Sequence, residues 1–260
     1  MYQISMSVFS FKRFNVVNER SAMKVNTDGV LLGALMTITP DDRRLLDIGT
    51  GTGTIALMAA QRLADSVAIS DVQSGIQSHI DAIDIDEPSA SEAAANFKAS
   101  PWNGIMTAHH ASLETFSGSL SASWDPAFSY DLIFSNPPYF EDSLTAPDQR
   151  KSTARHTSEG LSYRDIFEFA SARLSDKGRV ALVLPSEQEA ALCRYARMCG
   201  LHMFRIVRVR TVPRKAPRRI VVEFSRCRPQ EPEDITLTIQ NEGQYTQEYL
   251  SLMKDFYLFA

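Results

Sequence analysis

The amino-acid sequence predicts a single α/β domain with a mostly parallel sheet and helices on both faces. Three observations lead there. Strand-like apolar runs alternate with segments of helical periodicity along most of the chain. One run, Arg44–Ile48, passes directly into the glycine turn Gly49-Thr50-Gly51-Thr52-Gly53 and then a helix-like face. Another, Tyr130–Phe134, runs straight into Ser135-Asn136-Pro137-Pro138-Tyr139.

Length and composition agree with that class. At 260 residues the chain can bury one large core, and 44% hydrophobic with 22% charged residues is ordinary for a globular protein. No apolar run approaches the roughly 20 residues that a membrane-spanning helix needs. The opening MYQISMSVFSFKRF lacks the apolar stretch of a signal peptide. Cys193, Cys199 and Cys227 form no CxxC pair, so neither a disulfide framework nor structural zinc is expected. The five histidines, with His109 and His110 adjacent, are not spaced as metal ligands. These points predict a cytoplasmic protein without a metal site.

Taken in order, residues 1–40 read as an N-terminal extension, with Phe9, Phe11 and Phe14 ahead of a polar run. The apolar stretch from Gly29 to Ile38 within it reads as a short helix stopped at Pro40. Residues 41–228 read as the core. After the first strand and glycine turn, Ile55, Leu57, Met58, Ala59 and Leu63 suit a buried helix face. Residues 65–79 are polar and weakly patterned, as a surface insertion would be. Strand Ile80–Ile85, a helix through Phe97 and a short strand Ile105–Ala108 follow. Beyond NPPY, residues 140–160 read as a polar loop. Helix Tyr163–Leu174, strand Val180–Leu184 and helix Glu187–Met198, stopped by Gly200, come next. Strands Met203–Val212 and Arg219–Phe224 flank the turn Pro213–Pro217. The C-terminal addition, 229–260, has room for one more strand at Ile235–Ile239 and a helix within Tyr245–Phe259.

Two of these connections carry chemistry. In Asp47-x-Gly49-x-Gly51-x-Gly53 the glycines let backbone approach a nucleotide-type cofactor without a Cβ in the way. Such a turn lies at the carboxyl ends of the strands, where open α/β sheets bind ligands. The next strand ends in Asp84, an acid placed to accept hydrogen bonds from ribose hydroxyls, with Asp86 two residues on. In Asn136-Pro137-Pro138-Tyr139 the paired prolines fix the backbone and leave carbonyls without competing donors. The Asn136 amide oxygen and the Pro137 carbonyl become preset acceptors, and Tyr139 offers a ring face for stacking. That set suits a planar substrate bearing an amino group.

DIGTGTG, AIDID and DLIFSNPPY together resemble class I S-adenosylmethionine-dependent methyltransferases acting on amino or amide nitrogen. The flanking segments FKRFNVVNERSAMKVNTDGVLLGA and RTVPRKAPRRIVVEF are similar to the tRNA1(Val) (adenine-37-N6)-methyltransferases. The resemblance covers about residues 7–228, with 65–79 as a gap. It implies a Rossmann-like fold with a seven-stranded sheet, S-adenosyl-L-methionine as cofactor, and a tRNA anticodon stem-loop as partner. It also implies that Asp47, Gly49, Gly51 and Gly53 enclose the methionine end of the cofactor and that Asp84 holds its ribose. Lys24, Thr27 and Asp28 would help close over it. Asn136 and Pro137 would hold the target amine, and Tyr139 would stack on the flipped base. Many relatives carry an Asp after the third strand, where this chain has Ala111-Ser112, so Ser112 is assigned there.

Net charge is −4, but residues 205–228 hold nine cations against Glu223 alone, a local +8. Arg214, Lys215, Arg218 and Arg219 in or beside one turn are candidates for phosphate contact. Arg150, Lys151, Arg155 and His156 on the loop after NPPY, with Lys12 and Arg13, extend the expected surface. A monomer with no obligatory protein partner is expected. Glutamine-N5 methylation of release factors uses the same NPPY, but those enzymes carry a recognition domain ahead of the core, where this chain has about 43 residues. Adenine-N6 methylation of ribosomal RNA or DNA shares the core motifs. A noncatalytic RNA-binding module would not need an intact glycine turn together with Asn136 and Pro137.

Overall fold

A computed structural model describes residues 7–66, 78–122, 128–138 and 160–260 of the protein. β1 (Val8–Ser10) and β2 (Asn15–Val17) form an antiparallel hairpin. α1 (Thr27–Leu35) starts at Asn26, whose side chain accepts from the Gly29 amide and so satisfies one orphan donor of the first turn. Then come β3 (Arg44–Ile48), α2 (Thr54–Ser66), β4 (His79–Asp84), α3 (Glu87–Ala99), β5 (Met106–His110), α4 (Leu113–Ala122) and β6 (Tyr130–Ser135). α5 (Tyr163–Arg173) opens with a reciprocal Ser162–Asp165 capping box. β7 (Leu174–Pro185), α6 (Glu189–Met198), β8 (His202–Arg210), β9 (Arg219–Ser225) and β10 (Glu233–Thr238) follow. A two-residue pair, β11 (Gln240–Asn241) and β12 (Gln244–Tyr245), leads to α7 (Gln247–Met253).

Eight strands make one sheet in the order β10-β8-β9-β7-β6-β3-β4-β5. β9 alone runs against its neighbours; the other pairings are parallel. Residues along each strand alternate between two cores. Leu45, Ala82, Leu132, Phe134, Ala181 and Val183 face α1, α2, α3 and α7. Leu46, Ile83, Ile133, Val180, Leu182 and Phe224 face α4, α5 and α6. A sheet covered on both faces explains why the strands read as continuous apolar runs.

The sheet exceeds the seven strands implied by the resemblance because Ile235 and Leu237 pair beside β8, adding β10 from the C-terminal addition. β7 also starts six residues before the expected Val180. Gly178 allows this: a Cβ there would lie 2.8 Å from the Tyr130 carbonyl oxygen, where the pairing with β6 shifts register. Of the expected insertion, Asp65 and Ser66 finish α2 and His79 begins β4; residues 67–77 lie outside the described residues. Among the described residues no helix is long and apolar enough to cross a membrane.

Candidate active site

The strand order reverses between β3 and β6, and open sheets of this kind form their ligand crevice at that switch point, beyond the carboxyl ends. The glycine turn leaves β3 there, Asn136 leaves β6 beside it, Asp84 ends β4, and Ala111-Ser112 leaves β5. The motif residues are therefore brought to one edge by parallel pairing alone.

Gly49, Gly51 and Gly53 have φ of 71°, 56° and 79°, in the left-handed region that disfavours a side chain. The turn is tied to its neighbours: Gly49 and Thr50 amides donate to the Ile83 carbonyl at 2.9 and 3.0 Å, and the Gly51 amide donates to Asp84 Oδ2 at 2.8 Å. The other Asp84 oxygen accepts from the Asp86 amide at 2.9 Å, while Asp86 itself caps α3. Asp47 is fully buried beneath the turn. Thr50 Oγ1 donates to its Oδ2 at 2.8 Å, and its Oδ1 has no hydrogen-bond partner among the described residues. Burial pushes the Asp47 carboxyl up to about 7; the Thr50 hydrogen bond opposes that rise and the charge of Asp84 adds to it.

Asn136 is buried at the end of β6, and its Nδ2 lies 3.7 Å from Met23 Sδ. Pro137 is buried and Pro138 exposed. Ser135 Oγ donates to the Ile48 carbonyl at 2.6 Å, locking the start of this turn to the end of β3. Ser112 caps α4, accepting from the Thr115 amide at 3.1 Å, so it stands at the mouth of the cleft with its hydroxyl engaged in the helix start. Tyr139, Arg150, Lys151, Arg155 and His156 lie outside the described residues.

The N-terminal extension supplies the front of the cleft. A Cβ on Gly51 would stand 3.4 Å from Ser21 Oγ and 3.7 Å from the Met23 carbonyl oxygen. The Lys24 ammonium folds back on its own segment, donating to the Asn18 and Glu19 carbonyls at 2.7 and 2.8 Å. Thr27 is exposed in the first turn of α1, and Asp28 accepts from Arg219 Nε at 2.8 Å. A residue assigned to the cofactor and one assigned to RNA are thus joined.

The basic cluster divides. Arg205 pairs with Glu223 and Glu233, and Arg208 forks onto Glu189 and reaches Asp234. Arg210 is held by Thr238 and Pro213, and Arg226 by the Ser171 and Leu174 carbonyls. Arg214, Lys215 and Arg218 are exposed on the β8–β9 turn, and that turn sits on the same sheet edge as Asn136 because β8 runs parallel to β7. Lys12 and Arg13 depart from expectation. Lys12 donates to the Lys254 and Ala260 carbonyls, and Arg13 pairs with Asp65 and lies over Trp102. Asp65 ends α2 and Trp102 precedes β5, both at the edge of the sheet opposite the glycine turn.

Two features join the residues already placed. Ile85, directly after Asp84, is 72% exposed and gives the cleft an apolar platform. Glu92 and Asn96 stand on the buried face of α3 with Ala93 and Phe97; polar residues four apart on an apolar helix face were the available signal. Among the described residues no cluster of histidine, cysteine and acidic side chains could hold a metal ion. A glycine cradle, an unpartnered buried carboxylate oxygen, an acid at the next strand end and an apolar platform fit a nucleoside joined to an amino-acid group.

No family model matches the chain. The tRNA1(Val) (adenine(37)-N6)-methyltransferase of Parabacteroides distasonis is 41% identical over 251 residues, covering 96% of this chain and 97% of that one. The protein of the same name from Flavobacterium psychrophilum is 36% identical over 251 residues, covering 96% and 99%. Among solved structures, an Agrobacterium tumefaciens protein described as a predicted O-methyltransferase matches with a TM-score of 0.59 at 17% identity, over 88% of this chain and 96% of that one, a likeness of fold. With such identity along nearly the whole of both chains, and a cleft built as described, this chain belongs to the tRNA1(Val) (adenine(37)-N6)-methyltransferase family.

Proposed function

We infer that the protein is an S-adenosyl-L-methionine-dependent enzyme that methylates N6 of an adenine in tRNA, adenine 37 of tRNA1(Val). Two adjacent strands support this reading: β3 delivers the glycine turn and β6 delivers Asn136 and Pro137 to the same crevice. The cofactor supplies an electrophilic methyl group. Asp47 and the turn Gly49–Gly53 hold its amino-acid end, Asp84 its ribose, and Ile85 flanks the nucleobase. Ser112 stands beside the same nucleobase, and Thr27 and Asp28 help close the entrance.

The exocyclic nitrogen of adenine is a weak nucleophile because its lone pair is delocalised into the ring. The Asn136 amide oxygen and the Pro137 carbonyl accept its two N–H groups and favour the pyramidal form, in which the lone pair is available. Fixed acceptors of this kind act as preorganised dipoles and need no rearrangement during reaction. They also align the nitrogen. Tyr139 stacks on the base turned out of the anticodon loop and offsets part of the unstacking cost, on the order of 1–3 kcal/mol per stacked base. Arg214, Lys215 and Arg218, with Arg150, Lys151 and Arg155, hold phosphates of the stem-loop; Arg219 supports that turn through Asp28. The enzyme works as a single chain in the cytoplasm, where its substrate is found.

The test is methyl transfer from labelled S-adenosylmethionine to tRNA lacking the modification, read by nucleoside mass spectrometry. N6-methyladenosine at position 37 is expected. Confirmed cofactor binding without transfer to any tRNA would overturn the substrate.

A further inference from the structure

α3 leaves the cleft from Asp84 and Asp86 and runs back beneath the N-terminal extension. Its Glu92 is only 4% exposed, yet both carboxylate oxygens are used. Oε1 accepts from the Glu19 and Arg20 amides at 2.8 and 2.9 Å, and Oε2 accepts from the Ser21 amide at 3.0 Å. One turn on, Asn96 Oδ1 accepts from the Val17 amide at 2.9 Å. Its Nδ2 donates to the Val17 and Thr52 carbonyls at 3.0 and 2.9 Å. Thr52 belongs to the glycine turn itself.

Segment 18–24 has no helix or strand to hold its shape. Fixing irregular backbone costs about 1–2 kcal/mol per residue, so something must offset that cost. Three amides converging on one buried carboxylate do so, and they also satisfy a charge that would be expensive to bury alone. The segment held this way is the one that meets the cleft. Ser21 Oγ and the Met23 carbonyl face Gly51, Met23 Sδ accepts from Asn136 Nδ2, and Ser89 Oγ donates to Ser21 Oγ at 3.0 Å. A thioether can only accept, so it is the NH₂ end of Asn136 that meets Met23.

We propose that Glu92 is a positioning residue for methyl transfer: it fixes residues 19–23 across the glycine turn and Asn136, and so shapes the wall shared by the cofactor and the target amine. This rests on the function inferred above. Glu92 contacts neither ligand, and its influence passes through the backbone it holds.

The experiment compares full-length wild type with Glu92→Gln, which keeps the size of the side chain but turns one acceptor into a donor facing amide N–H groups. Three quantities are read: the S-adenosylmethionine dissociation constant, hydrogen exchange of the Glu19, Arg20 and Ser21 amides, and Tm. Expected are a dissociation constant raised at least tenfold and faster exchange confined to residues 19–21, with β6 amides unchanged. Should Glu92→Gln fail to fold, Glu92→Asp keeps the carboxylate but shortens its reach to the Glu19, Arg20 and Ser21 amides, and is read the same way. Faster exchange or a lower Tm with unchanged cofactor affinity is the outcome of a merely structural role and overturns the inference. Wild-type protein that binds no S-adenosylmethionine overturns the underlying function, and this inference with it.

Discussion

Asn136 and Asp84 stand at the ends of strands separated only by β3, yet the tasks proposed for them divide cleanly. Asn136 ends β6 with a neutral amide whose nitrogen lies 3.7 Å from Met23 Sδ, and the role proposed for it is that of an acceptor without a charge contribution to cofactor binding. Asp84 braces the Gly51 amide and keeps acceptor capacity on both oxygens. Asn136→Ala is therefore expected to lower kcat by a factor of 100 or more, about 2.7 kcal/mol of transition-state stabilisation, with cofactor affinity within twofold. Asp84→Ala should instead raise the cofactor dissociation constant at least tenfold, because it removes a ligand acceptor and loosens the turn. Single-turnover kinetics alongside equilibrium binding separate the two; full activity in Asn136→Ala would refute the acceptor role. Both positions were readable in sequence because strand and turn are contiguous there. Glu92 was not, since its partners, the amides of residues 19–21, lie more than 70 positions away.

The β8–β9 hairpin shows what sequence clustering hides. Nine cations within residues 205–228 look like one patch. Strand geometry sends Arg205 and Arg208 to acids on α6, β9 and β10, and leaves the turn to present Arg214, Lys215 and Arg218. Local sequence places cations on a strand or a turn; it does not contain the acids that meet them from other elements. Arg214→Ala with Arg218→Ala should weaken tRNA binding about uniformly across sequences and flatten the salt dependence by roughly 1 for each phosphate that no longer meets a cation. Arg208→Ala should lower Tm, since it strands Glu189 and Asp234, and leave that slope alone. Binding isotherms across a salt series check both; equal slopes in wild type and the double variant would exclude the turn from the interface. The same reasoning explains β10, whose residues gave a weak strand signal because they cover an edge, with Glu233, Asp234, Ile235 and Thr236 exposed.

Stability against pH combines a fully buried acid, Asp47, with a partly buried one, Asp81, on the paired strands β3 and β4. Burial pushes Asp47 from 3.8 to about 7, so between those values the folded state binds the extra proton and stability falls as pH rises. That loss is complete above pH 7 and amounts to about 4 kcal/mol at roughly 1.36 kcal/mol per unit. At Asp81, burial alone would raise the carboxyl, but hydrogen bonds from His109 and His79 outweigh it and hold the group well below the usual range. Its stabilisation is present above the unfolded value near 3.9 and disappears as pH falls through the folded one. Taken by themselves, these two groups favour stability on the acid side of neutrality. Asp47→Asn should raise Tm at pH 8 and flatten the decline between pH 4 and 7, whereas Asp81→Asn should lower Tm at pH 5–8 and flatten the acid limb. Thermal unfolding scanned by pH without ligand tests this; a wild-type Tm that climbs steadily from pH 4 to 8 would contradict the Asp47 assignment. The stabilised Asp47→Asn protein should lose the Tm increase that S-adenosylmethionine confers on wild type. A carboxylate buried at a cost to the free protein is then recovered only when a cationic ligand group meets it.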